Sequence, residues 1–266
     1  MMDVEYAELT DPGRVRTNNE DYLGHFIPGS PAQARSHGWL FAVADGVGGQ
    51  QKGEVASRAA IQEVVAGFQR AKDSTPPKDL MNQIVQAANA RVCETDALWG
   101  ASGRGMASTI VACGLRFDRA TVAHVGDSRC YLIRGNEARP ITRDHTVAAE
   151  QQRMGILSAE EAAQVHTRHV LSRSLGANLF VNVEIDDVQL MLDDVLLLCS
   201  DGLHGAISAK EIVHTVIKNR SLAAVAKELV NSANEQDGND NVSVQLIRIR
   251  SVERMGMYRG RPYKLR

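Results

Sequence analysis

The stretch Trp39-Leu40-Phe41-Ala42-Val43-Ala44-Asp45-Gly46-Val47-Gly48-Gly49 decides how the rest of the chain is read. Its first six residues are apolar without alternation, which describes a strand buried on both faces inside a layered fold. The run stops at Asp45, and the glycines beyond supply the backbone freedom for a sharp exit. A carboxylate belongs at the surface unless something pairs with it. The pattern recurs. Asp201-Gly202 follows Val195-Leu196-Leu197-Leu198-Cys199-Ser200, Asp127 follows Ala123-His124-Val125-Gly126, Asp240-Asn241 begins the last apolar run, and Glu20-Asp21 begins an early one.

Outward from this strand, apolar patterning predicts strands at residues 5–10 and 22–27 before it and helices at 54–70 and 79–98 after it. Ile61, Val64, Val65 and Phe68 form a stripe at helical spacing, and Pro76-Pro77 separates the two helices. Strands are predicted at 108–117, 121–125 and 129–134, with turns at Asp118-Arg119 and Gly135-Asn136. Residues 143–176 read as short, charged helices. Strands at 181–190 and 195–199, helices at 209–218 and 222–234, and a strand at 242–249 complete the order. Strands and helices in separate groups indicate an α+β fold with antiparallel sheets and helices packed outside. No internal repeat or long linker divides the chain, so residues 1–250 read as one domain. The tail, 251–266, carries Arg254, Arg259, Arg261, Lys264 and Arg266 against Glu253. It reads as a solvated, partly disordered end, or as a docking segment for an acidic partner.

Composition narrows the function. The chain has 266 residues, 44% apolar and 23% charged, enough to bury a core without disulfides. A net charge of −2 disfavours a nucleic-acid binder that neutralises many phosphates. The four cysteines, Cys93, Cys113, Cys130 and Cys199, form no C-x-x-C pair and read as reduced thiols of a cytoplasmic protein. The N-terminus lacks a basic start followed by an apolar run, so no signal peptide is expected. No apolar stretch approaches the roughly 20 residues of a membrane helix.

Each strand-end aspartate alone is most simply a turn residue. If several converge, their charges repel and raise one another's pKa, and divalent cations remove the conflict. An all-oxygen set favours hard ions such as Mg²⁺ or Mn²⁺ over zinc. Two such ions sharing a water lower its pKa and generate a nucleophile without a side chain.

Five motifs extend this reading: Arg16-Thr17-Asn18-Asn19-Glu20-Asp21, Asp45-Gly46-Val47-Gly48-Gly49, Gly126-Asp127-Ser128-Arg129, Ser200-Asp201-Gly202-Leu203 and Gly238-Asn239-Asp240-Asn241. In this order the sequence resembles the metal-dependent serine/threonine protein phosphatases of type 2C, and Arg143-Asp144-His145 before the helical insert resembles their bacterial branch. The resemblance covers about residues 1–250. It implies a four-layer αββα sandwich and two Mn²⁺ or Mg²⁺ ions, with a third, weaker site. Asp45 would bridge the two metals, the Gly46 carbonyl would ligate one, and Asp201 and Asp240 would complete the other. Asp127 with Asp201 would hold the third. Glu20, Asp21 and Asn241 would support the network, and Arg16 would grip the substrate phosphate through paired hydrogen bonds. A hydroxide bridging the cations would attack phosphoserine or phosphothreonine in line. Residues 143–178 would form a mobile flap governing substrate choice. Phosphorylated proteins made by a serine/threonine kinase would be the partners, with neither nucleic acid nor membrane, and the protein would be a monomer.

The chain departs from the family at Val47 and Gln50, where members carry histidine, so the proton donor to the leaving group stays open. His145 reads as a flap residue beside a cap, Asp144, more readily than as an acid. Two other functional readings compete: a catalytically inactive binding module, and a two-metal hydrolase of small phosphate esters. Cys113 and Arg119 match the C-x5-R spacing of thiol phosphatases, but the interval reads as strand and turn rather than as a phosphate cradle.

Overall fold

The buried run opens the centre of the molecule as expected. In this computed structural model, which describes residues 2–47, 52–98, 105–219, 221–258 and 261–264, the chain begins with β1 (Asp3–Asp11), β2 (Asp21–Phe26), α1 (Pro31–Ser36) and β3 (Trp39–Asp45). Helices α2 (Gly53–Gln69) and α3 (Pro77–Leu98) follow. Next come β4 (Ile110–Arg116), β5 (Arg119–Val125), β6 (Arg129–Arg134) and β7 (Glu137–Pro140). The flap region holds α4 (Val147–Arg153), α5 (Ala159–Gln164) and a 3-10 turn, His166–His169. Then come β8 (Glu184–Gln189), β9 (Val195–Cys199), α6 (Asp201–His204), α7 (Ala209–Lys218), α8 (Leu222–Gln236) and β10 (Val242–Ser251). Within the basic tail the chain forms a hairpin, β11 (Met255–Tyr258) with β12 (Arg261–Lys264).

Two five-stranded antiparallel sheets result, in the orders β1-β10-β9-β6-β7 and β2-β3-β4-β5-β8. Helices α2 and α3 cover the second sheet, and α7 and α8 cover the first. The alternation of β3 shows why its sequence is apolar throughout. Leu40, Ala42 and Ala44 face the helices, while Trp39, Phe41 and Val43 face the other sheet. Strand β9 repeats this, with Leu197 and Cys199 toward the helices and Leu196 and Leu198 between the sheets. The αββα sandwich is thus three apolar layers between four layers of structure, as the α+β reading anticipates.

The departures from the predicted elements are local. Helix α1 has a start signal, Ser30 capping before Pro31, but at six residues it is too short to show periodicity. Strand β7 is largely exposed and lacks an apolar pattern. Residues 181–183 lie outside β8, although Val181 and Val183 still pack on the core. Among the described residues, no helix is long and apolar enough to cross a membrane.

Candidate metal centre

The acidic residues meet at one end of the sandwich. Asp21 begins β2 directly opposite Asp45, which ends β3. Asp127 sits in the turn from β5 to β6, Asp201 in the first turn of α6 just after β9, and Asp240 in the loop from α8 into β10. The turn after β3 closes against its surroundings. Gly46 N–H donates to the Glu20 carbonyl at 3.0 Å, and a bridge pairs Gly46 with Ser108. A side chain on Gly46 would strike the Gly53 carbonyl at 2.2 Å, so glycine lets the start of α2 close onto the site. That helix N-terminus favours negative charge, and the Gly53 backbone donates a hydrogen bond to the Glu20 carboxylate.

The electrostatics express what the sequence anticipates for unpaired acids brought together. Burial comes first, and then the charges of Asp21, Asp201, Asp127 and Asp240, in holding Asp45 well above its ordinary value. Asp127 is pushed up to about 8 by burial, then by Asp201 and Asp144. Asp21 rises to about 7 through burial, opposed by hydrogen bonds with Ser200 and Ser243. Asp201 also rises, by burial and Asp240, although a hydrogen bond with Asp45 and the charge of His169 act the other way. Burial and Glu54 raise Glu20. Among the described residues, Asp21 Oδ1 is buried with no hydrogen-bond partner. Oxygen donors this crowded, with one carboxylate oxygen orphaned, fit divalent cations.

Arg16 lies over this centre, but it is engaged. Its Nη2 donates to Asp240 Oδ2 at 2.9 Å, and its Nε donates to the Asn239 carbonyl at 3.3 Å. Both residues of the pair are exposed. The guanidinium keeps further N–H groups for an incoming anion. Asn241 is a buried clamp. It accepts Glu20 N–H at 2.8 Å and donates to the Pro12 and Asn18 carbonyls, both at 2.9 Å.

Supporting residues that sequence reasoning did not single out complete the site. Ser200 Oγ donates to Asp21 Oδ2 at 2.7 Å, Thr109 Oγ1 accepts Asp45 N–H at 3.0 Å, and His204 Nε2 meets the Asp127 carbonyl at 2.9 Å. Ser200 lies inside a quoted motif, and its strand-end position was the available signal. Asp144 is not a helix cap, since Thr146 caps α4. Asp144 instead receives two hydrogen bonds from Arg129, at 2.7 and 2.6 Å, and this pair outweighs burial to hold the carboxyl below its ordinary value. His145 is 3% exposed and stacks on His124. Burial, then His124, pushes it down to about 4. Its Nδ1 accepts Gly126 N–H at 3.1 Å, and its backbone carbonyl accepts Ser172 N–H at 2.8 Å, so it ties the flap to the Asp127 turn.

His124, His145 and Glu184 also bring ligand atoms within 4.8 Å of one another. His145 Nε2 lies 3.3 Å from both Glu184 Oε2 and Arg173 Nη1, so the trio is part of a hydrogen-bonded hub apart from the acidic centre. Cys113 is fully buried between the sheets, away from any phosphate cradle. Val47 is half-buried beside the turn, and Gly48, Gly49 and Gln50 lie outside the described residues.

Gly202 offers a test of the local fit. A Cβ there would lie 2.1 Å from the Asn241 carbonyl oxygen, a backbone atom tied to the clamp. Gly202→Ala is expected to cost about 2–3 kcal/mol, a fall of roughly 5–10 °C in melting temperature. Thermal unfolding measures it, and an unchanged Tm would contradict this packing.

Comparison with known proteins agrees with this geometry. The sequence pattern of the protein phosphatase 2C family matches residues 11–242. Protein phosphatase PhpP of Streptococcus pneumoniae is 31% identical over 246 residues, covering 92% of this chain and 97% of that protein. Serine/threonine phosphatase stp of Listeria welshimeri is 32% identical over 263 residues, covering 96% and 98%. The structure of the Streptococcus agalactiae serine/threonine phosphatase superposes with a TM-score of 0.82 at 29% identity, covering 92% of this chain and 99% of that one. The catalytic domain of the serine/threonine protein phosphatase PstP, solved with two manganese ions, gives 0.76 at 29% identity, covering 94% and 100%. With its acidic strand ends, its two helix-covered sheets and a match over most of its length, this chain belongs to the protein phosphatase 2C family.

Proposed function

We propose that this protein hydrolyses phosphoserine and phosphothreonine residues of phosphoproteins at a centre of two divalent cations, Mn²⁺ or Mg²⁺. The observation that carries this is the convergence of Asp21, Asp45, Asp127 and Asp201, each held above its ordinary pKa by desolvation first and then by neighbouring carboxylates. Asp45, the Gly46 carbonyl, Asp201 and Asp240 would hold these cations. Asp127 with Asp201 would hold a third, weaker one. When bound, the cations supply Lewis acidity, lowering the pKa of a water and neutralising phosphoryl charge.

The chain's own residues do the remaining work. Arg16 orients the phosphoryl group from the exposed side with its free N–H groups. Glu20, Asp21 and Asn241 form the hydrogen-bonded layer beneath, and Ser200 fixes one Asp21 oxygen. The bond from phosphorus to the serine or threonine oxygen breaks, and a water oxygen completes inorganic phosphate. With Cys113 buried in the core, no side-chain nucleophile is called on. Residues 143–178 form the flap that selects substrate, and Met154, Ile156 and Val170 offer it exposed apolar contacts. The partners are phosphoproteins made by an opposing serine/threonine kinase, and the enzyme acts as a cytoplasmic monomer.

The test is phosphate release from a phosphothreonine peptide with Mn²⁺, with chelator, and for Asp201→Ala. Activity is expected only with metal, and to be lost in the variant. Activity surviving chelation would refute the metal centre. Absence of activity with any metal would favour an inactive binding module, and preference for nucleotides over peptides a hydrolase of small phosphate esters.

A further inference from the structure

At the opposite end of the second sheet from the acidic centre lies a cavity of about 910 Å³. It opens where the α2–α3 connection passes over the β4–β5 turn, lined there by residues 71–81 and 114–119. Strand β3 separates the two ends: Trp39 pairs with Leu115 at the cavity, whereas Asp45 ends the strand in the centre. Seven residues of strand place them roughly 20 Å apart. The volume lies within the roughly 300–1,000 Å³ of small-molecule sites.

The lining has an apolar floor and a charged rim, with Lys72, Lys78, Arg116 and Arg119 matched in number by Asp73, Asp79, Asp118 and Asp187. Phe68, Leu80, Met81 and Leu115 form the floor, which stays open partly because Gly114 has no side chain. Three of the acids at the rim already have partners. Asp73 meets His37 at 3.3 Å, Asp187 meets Lys78 at 3.2 Å and Thr121 at 2.8 Å, and Asp118 accepts from Gln189 at 3.2 Å. Among the described residues, Lys72, Arg116 and Arg119 have no acidic partner within ion-pair distance, whereas Asp187 is held by Lys78 and Asp118 by the neutral Gln189 amide. Arg116 is held in place, its Nε donating to the Arg35 carbonyl at 2.8 Å and its guanidinium carbon 4.9 Å from the centre of the Phe117 ring. Its terminal nitrogens stay available. Burial lowers its pKa and Asp73 offsets this only in part, as expected of a half-buried cation lacking a counter-ion.

We propose that this cavity binds a small amphipathic anion, an acyl or aromatic chain ending in carboxylate or phosphate. The apolar body lies on Phe68, Leu80 and Met81, and the anionic end meets Arg116 and Arg119, where a guanidinium fork matches its geometry. The site is separate from the metal centre and does not depend on the phosphatase reaction.

The test titrates the full chain, with Mn²⁺ present, against the fluorescent anion 1-anilinonaphthalene-8-sulfonate. The expected result is saturable binding at one site, displaced by dodecanoate but not by dodecanol. The double variant Arg116→Gln, Arg119→Gln should bind the probe at least ~10-fold more weakly while still unfolding in one cooperative transition. Unaltered binding in that variant, displacement by the alcohol and the acid alike, or no saturable binding would each overturn the proposal. So would sedimentation with phosphatidylglycerol vesicles in the absence of dodecanoate binding, which would indicate a membrane surface instead.

Discussion

Asp45→Asn is expected to remove phosphate release, by roughly 10²–10³-fold or more, while raising the melting temperature of the chelated protein. The two effects share a cause. Asn preserves the size of the side chain and leaves intact the backbone hydrogen bond from Asp45 N–H to Thr109 and the register opposite Asp21. It replaces a carboxyl whose ionisation is opposed by desolvation first and then by repulsion from Asp21, Asp201, Asp127 and Asp240. Relief of that repulsion is expected to add about 1–2 kcal/mol, or roughly 2–8 °C, to the metal-free fold. The same change deletes the proposed bridging ligand, so Mn²⁺ should no longer shift the Tm. Phosphopeptide hydrolysis and thermal unfolding, each with Mn²⁺ and with chelator, read both halves. Retained activity would show that Asp45 is not a ligand. A lowered chelated Tm would show that its carboxylate stabilises the fold through hydrogen bonds rather than straining it.

That opposition between site and fold explains what was legible in the sequence. Strands β3 and β9 were readable because burial on both faces makes them apolar throughout, and their aspartates stood out because nothing in such a strand tolerates charge without a partner. The helices were readable from stripes such as Ile61, Val64 and Phe68, which the structure buries against the second sheet. Short elements were not readable. Helix α1 has too few residues for a period, and α6 spans four residues within a motif that reads as a turn. The pairing of Arg16 with Asp240, the clamp at Asn241 and the bond from Arg129 to Asp144 join residues distant in the chain. Local pattern holds no record of such contacts. For Asp144 the local signal pointed to a cap, and Thr146 took that place because its side chain reaches Ala149 N–H. The cavity at Arg116 was equally silent, since a lone arginine at a hairpin turn looks like any surface cation.

Chelated protein is expected to lose stability as pH rises from about 6.5 to about 8, and Mn²⁺ to reverse the trend. Asp21 and Asp127 have folded values near 7 and 8, above the ordinary 3.8. An acid whose folded value is raised contributes stability that is fully present below its unfolded value and is lost as pH rises through its folded value. His145 and His204 act in the opposite sense. Their folded values, near 4, lie below the ordinary 6.5, so their contribution is present above 6.5 and lost as pH falls toward 4. Between about 4 and 6.5 the two sets oppose each other. Between 6.5 and about 7.5 the remaining histidine contribution, shared by His124, offsets part of the loss, and above about 7.5 the histidines are neutral in both states and the acids act alone. Each fully titrating group adds a slope of up to about 1.4 kcal/mol per pH unit. Repulsion spreads the ionisations, so a loss of about 1–3 kcal/mol is expected across the window, roughly 2–10 °C in Tm. Cations held by the ionised carboxylates remove the penalty, and their binding releases protons, so the difference between Mn²⁺-loaded and chelated protein should widen steadily with pH. Thermal unfolding at pH 6.5, 7.25 and 8, with chelator and with Mn²⁺, measures that difference. A chelated Tm that rises across the window, or a difference that does not widen with pH, would mean that these carboxylates are not the groups the metal relieves.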